Sequence, residues 1–169
     1  MKGEISMTIP PRYDEIRSDF VQAATLAGFS IPLSDIEVEY FPAPHKQPSS
    51  LPPKRMAVYV FMFGGRCLKV GKAGRNCAAR FCSQHYGSSA PSTLAKSLVK
   101  RQAEIEVSNL NDSNVKAWIL GNTTRVNFLI PSQYGVFALS LLEVFVQCRL
   151  KPEFEGFASQ RANEAFVQH

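Results

Sequence analysis

The spacing of apolar positions divides the chain into helices and short strands. Ile16, Phe20, Ala23, Ala24 and Ala27 recur at helical spacing, with Pro10-Pro11 at the entry and Gly28 as a stop, which predicts an amphipathic helix over residues 14–27. A short strand is suggested at residues 36–41. The runs AVYVFMF (57–63) and CLKV (67–70) are β-patterned and flank Gly64-Gly65, which predicts a hairpin. Residues 76–85 read as a helix with Asn76 as N-cap, and Ser92 or Thr93 caps a further helix over residues 94–105. Residues 115–120 fit either a short helix or a strand, and RVNFLI (125–130) reads as a strand ended by Pro131. The longest apolar helical pattern covers residues 134–150 and offers Phe137, Leu141, Val144, Phe145 and Cys148 to a core. Glu143 sits in its middle and Pro152 ends it. A last short helix is suggested at residues 157–167.

Residues 42–53 (PAPHKQPSSLPP) hold five prolines and two serines, the composition of an extended connector or a strap across a neighbour. This segment divides the chain into an N-terminal helical extension with its connector (1–53), a main domain (54–157) and a C-terminal helix or tail (158–169). The order β-β-α-α-β-α in the main domain predicts an α+β fold, a small three-stranded, mostly antiparallel sheet flanked by helices.

Composition narrows the class of partner. At 45% hydrophobic residues the chain carries enough apolar matter for a packed core. The formal net charge of +5 favours polyanions, of which nucleic acid is the commonest. Four cysteines (Cys67, Cys77, Cys82, Cys148) show neither a CxxC pair nor zinc-ligand spacing, and read as reduced, mostly buried thiols of a cytoplasmic protein. The first residues lack the apolar core of a signal peptide, and no run approaches the ~18 apolar residues of a membrane span, so no membrane partner is expected.

Phosphodiester cleavage needs a proton acceptor for the attacking water, a cation on the phosphate oxygens and, where a metal assists, a carboxylate to hold it. The hairpin and following helix place Tyr59, Lys69, Lys72 and Arg80 near one end of the sheet. Tyr59 can take the proton if neighbouring cations depress its phenol, and Lys69 and Lys72 are the candidates for doing so. Arg80 can grip a phosphate bidentately. Glu143 is a carboxylate where a core residue is expected, and helical spacing sets it beside Leu139, Val146 and Gln147. The plain alternatives are strand packing for Tyr59, solvated charges for Lys69, Lys72 and Arg80, and a solvent-facing position for Glu143.

Val58-Tyr59, then Lys69-Val70-Gly71 ten residues on, resemble the two-part signature of the GIY-YIG nuclease family. Lys72-Ala73 with Arg80 in the next helix is similar to the same region of the family's excision-repair incision subunit, and Leu142-Glu143 followed by Leu150-Lys151-Pro152 resembles its glutamate helix and exit. The resemblance spans residues 57–156 and implies a stand-alone, single-domain endonuclease that hydrolyses DNA with one Mg2+ or Mn2+ ion. It further implies Tyr59 as activating tyrosine, Arg80 as phosphate-stabilising residue and Glu143 as metal ligand. Lys69 stands where the second half usually opens on tyrosine, as in some restriction enzymes of the family. Arg80 falls one residue late, with Arg75 a less favoured substitute. The position one turn after the arginine is Gln84, and His85 beside it is the preferred site member. The family's late asparagine falls at Glu155.

Beyond the site, Lys72, Arg75, Lys96 and Lys100 are candidates for the phosphate track, against the plain reading of a solvated face. His45 in the strap and His169 carry no functional weight on this reading. The expected partner is DNA, with RNA as an alternative, and a homodimer or a larger defence or repair assembly stays open. The rival function is a catalytically silent nucleic-acid-binding or protein-interaction module on the same scaffold.

Overall fold

The computed structural model describes residues 8–154, and a hairpin forms one side of its sheet. Strands β2 (Arg55–Phe63) and β3 (Arg66–Ala73) are antiparallel and joined by Gly64-Gly65. Both glycines have positive φ, 55° and 80°, which is the backbone a two-residue turn needs to match strand twist. Strand β4 (Thr124–Pro131) pairs with β2 on its other side, and β1 (Glu37–Phe41) pairs with β4. The sheet is therefore α+β in context, antiparallel throughout and four-stranded, in the order β1-β4-β2-β3. The expected three strands are corrected by β1, which comes from the segment read as an extension. Val38 is its buried position and anchors it against the core.

Helices cover both faces. Helix α1 (Pro11–Leu26) starts with proline at its first position and buries Tyr13, Ile16, Phe20 and Ala24 against the sheet and against α5 (Gly135–Leu150). Val58, Val60, Met62, Cys67, Val70, Val126, Phe128 and Ile130 supply the sheet side of this layer. On the other face lie α2 (Ala78–Cys82), α3 (Leu94–Arg101) and α4 (Val115–Asn122), packed on Ala57, Tyr59, Phe61, Leu68 and Leu129. A bulge between Phe61 and Met62, opposite Leu68, sets Leu68 and Lys69 on the second face and Cys67 on the first.

Several local expectations are amended. The helix over 76–85 is only α2 plus a 3-10 turn (Gln84–Tyr86), and Cys77, not Asn76, is its N-cap, without a side-chain bond. Thr93 caps α3 by accepting from the Lys96 N–H, and a 3-10 turn (Gln102–Ile105) follows. Residues 115–122 resolve as helix. The core face of α5 is Ala138, Leu139, Leu142 and Val146. Phe137 and Val144 are exposed at 78% and 53%, and Cys148 is exposed, because the sheet meets the helix one residue round from the predicted stripe. Of the cysteines only Cys67 is buried. The helix suggested at 157–167, Glu155 and His169 lie outside the described residues. Among the described residues no helix is long and apolar enough to cross a membrane.

Residues 8–53 share their core with the rest, so α1 should be indispensable to stability. Phe20 is fully buried, its ring 5.7 Å from that of Phe145. Phe20→Ala is expected to cost about 3–5 kcal/mol in urea unfolding. A loss below ~1 kcal/mol would mean α1 is only laid on the surface.

Candidate functional site

The register places the candidate residues on one face. Glu39, Asn127, Tyr59 and Gly71 form one rung across all four strands, and Phe41, Arg125, Phe61 and Lys69 form the next. Tyr59 lies flat over its cross-strand neighbour Gly71. A Cβ at position 71 would stand 2.6 Å from the Tyr59 hydroxyl and 2.7 Å from its ring, so only glycine admits this ring position.

The Tyr59 oxygen gathers two donors. Arg80, reaching back from α2, donates through Nε at 3.2 Å. His85 lies 2.5 Å away through Nε2. The Leu94 N–H donates to His85 Nδ1 at 3.2 Å, so a neutral ring carries its proton on Nε2 and donates it to Tyr59. His85 is neutral: burial, with Lys69, Arg80 and Arg125 nearby, holds its pKa down at about 3. Two N–H donors favour a phenolate, but burial of the ring outweighs them. The phenol is pushed up to about 12, with Arg80, its hydrogen bond and Arg125 only partly offsetting the loss of solvent. The expectation of a depressed tyrosine is thus corrected. The cations that act on Tyr59 are Arg80 and Arg125, in place of the expected Lys69 and Lys72.

Lys69 is buried, and its charge bears on His85. Lys72 points to the other face, as strand alternation requires, and pairs with Glu143 of α5, Nζ to Oε2 at 2.7 Å, while donating to Ser140 Oγ at 3.1 Å. The Glu143 side chain is only 16% exposed. Strand β3 is a sheet edge, and across it the Glu143 charge is felt weakly at Tyr59 and Arg80. Tyr59, Arg80 and His85 thus meet on one face of the hairpin with Lys69 beside them, and Glu143 lies on the other face, paired with Lys72. Lys96 and Lys100 are exposed on α3, and Arg75 lines a separate depression of about 550 Å3 with Lys54 and Arg55.

A divalent metal needs oxygen donors. Among the described residues no group of three or more His, Cys, Asp and Glu could hold one. Glu143 alone fits Mg2+ or Mn2+, which keep several waters and take further oxygens from phosphate, and it does not fit zinc.

Arg125 is the residue that sequence reading missed. It is fully buried on a central strand, with no salt bridge among the described residues. Its guanidinium donates to Asn127 Oδ1 at 2.9 Å, the Tyr86 hydroxyl at 3.1 Å and the Phe81 carbonyl at 2.7 Å, and lies 4.6–6.0 Å from the ring centres of Phe81, Tyr59, Phe61 and Tyr86. His45, dismissed on sequence, is also buried. Its Nδ1 donates to the Thr123 carbonyl at 2.7 Å, and its Nε2 accepts from Tyr86 at 2.9 Å, which fastens the proline strap to the same network. The available signal for Arg125 was a pair of polar residues, Arg125 and Asn127, alternating with Val126 and Phe128 in a strand flanked by apolar runs.

No family model, curated protein or solved structure matches this chain, so the family resemblance rests on the residues and their placement.

Gly71→Ala is expected to dislodge the Tyr59 ring, costing about 1–3 kcal/mol in chemical denaturation. An unchanged midpoint would show that the ring does not occupy this position. His85 predicts an acid weakness. Its imidazole is depressed in the fold, so below pH ~6.5 the unfolded chain binds the extra proton. The stability it supplies is complete above that pH and falls as pH drops toward 3, by roughly 1.4 kcal/mol per unit. Urea titrations between pH 7.5 and 4.5 should show a shallower decline for His85→Gln. Parallel declines would contradict a buried neutral ring.

Proposed function

We propose that the chain is a metal-dependent endonuclease of GIY-YIG type acting on DNA. The observation that carries this reading is the meeting of a tyrosine, a neutral histidine and an arginine at one oxygen, with a buried lysine beside them and a glutamate, 16% exposed, across the edge strand. In this reading Arg80 offsets charge on the phosphate and holds the Tyr59 oxygen. His85 donates its Nε2 proton to that oxygen and never charges at neutral pH. The Tyr59 hydroxyl is fully buried, so in this reading water must enter with the substrate before the phenolate can take its proton. Mg2+ or Mn2+, held by Glu143 once Lys72 releases the carboxylate, would supply charge stabilisation at the phosphoryl oxygens. Lys72, freed in this way, joins Arg75, Lys96 and Lys100 as a contact to the DNA backbone.

The rival reading, a silent nucleic-acid-binding module, draws on the Lys72–Glu143 pair, which occupies the metal-ligating carboxylate, and on the raised tyrosine.

Plasmid and single-stranded DNA incubated with Mg2+ or Mn2+ separate the two. Cleavage is expected, with Tyr59→Phe, Arg80→Ala and Glu143→Ala each reducing the rate by about 10²-fold or more. If the Tyr59 phenolate is the base, the rate climbs about tenfold per pH unit from pH 7 to 9.5, since the group titrates only near 12. Salt-sensitive DNA binding that survives Glu143→Ala, with no product under either metal, selects the rival.

A further inference from the structure

A second depression lies on the same face of the sheet as the tyrosine. It has a volume of about 580 Å3, within the range of ligand sites, and sits between the proline strap and strands β1 and β4. Its floor continues the rung that holds Tyr59. Glu39 pairs with Asn127, and Asn127 with Tyr59, so Glu39 stands two strand spacings, about 10 Å, from the tyrosine backbone. Phe81 joins the two places physically, since it lines the depression and its ring lies 6.3 Å from that of Tyr59, one residue after Arg80.

The chemistry of the floor is one-sided. Asn127 spends its Oδ1 on Arg125 and its Nδ2 on Glu39 Oε2, at 2.8 Å. The Asn127 amide thereby fixes the carboxylate from below and leaves its other oxygen to a ligand. An ionised carboxylate only accepts hydrogen bonds. Around it stand flat apolar pieces, Phe41, exposed at 38% on the sheet's edge strand, and the strap prolines, with Lys46, Gln47, Ser49 and Ser50 of the strap as the polar part of the wall. A flat ring with an amine on its rim matches such a place, since a ring stacks on the phenyl group and the amine donates to the carboxylate.

We propose that this depression is a nucleobase subsite selective for a base carrying an exocyclic amine, cytosine first, with Glu39 as the acceptor and Phe41 as the stacking wall. The proposal rests on the nucleic-acid reading above. Thymine and uracil present a carbonyl where cytosine presents its amine, and the fixed carboxylate repels them. The subsite would then select which base flanks the phosphate brought to Tyr59.

The test is made without metal, so that cleavage plays no part. Fluorescence anisotropy compares dC and dT homo-oligomers of equal length on the full chain, in chelator at fixed salt. Phosphate contacts are the same for both and cancel. The wild type should bind dC roughly tenfold tighter. Glu39→Gln, whose amide can turn a donor to the ring, should abolish the preference while leaving dT binding in place. Phe41→Ala should weaken both. Equal affinity for dC and dT, or a preference that survives Glu39→Gln in a variant with an unchanged thermal midpoint, overturns the subsite and leaves the nuclease reading standing. A dC preference with no cleavage under metal sinks the nuclease and keeps the subsite. Binding of neither oligomer overturns both.

Discussion

Arg125 is a full positive charge in a place with no solvent and, among the described residues, no carboxylate beside it. Such a charge is tolerated only where acceptors and electron-rich ring faces surround it. Each acceptor belongs to a different part of the chain: a carbonyl at the end of α2, a hydroxyl in the following turn, an amide on its own strand. Four aromatic rings complete the enclosure. Satisfying this one guanidinium therefore fixes where Phe81, Tyr86 and Asn127 must be. It also draws the short α2, with Arg80 upon it, down onto the sheet.

The rest of the site inherits this arrangement. Tyr86 passes the network on to His45 and so pins the strap, which forms one wall of the depression beside β1. Asn127 passes it to Glu39 and sets the carboxylate on the floor. Toward β3 the same buried cation helps keep His85 neutral and partly offsets the desolvation of Tyr59. A single buried charge thus acts in two directions along one sheet face, electrostatically on one side and through hydrogen bonds on the other.

Glu143 stands apart from that network. It belongs to the opposite layer, across the edge strand β3, where it pairs with Lys72. Gly71 admits the tyrosine ring on the face away from Glu143. The Lys72–Glu143 pair is partly shielded, its side chains 36% and 16% exposed.

Much of this was written in local patterns. The hairpin with its Gly64-Gly65 turn, the long helix α5, the strand β4 and the helix α1 follow from periodicity, turn residues and proline, each a short-range preference of the backbone. The sequence also marked Tyr59, Arg80 and His85, which meet at the tyrosine oxygen, whereas Glu143 pairs with Lys72 on the other face. Other features depended on partners distant in sequence. The fourth strand exists because β4 offers β1 an edge. The face that α5 buries was chosen by the sheet it meets. Tyr59 has a raised pKa because packing removes its water, an effect no neighbour in sequence encodes. Arg125, Asn127 and His45 read as ordinary polar residues until the chain closes around them, because the cost of burying a charge or an imidazole appears only once solvent is excluded.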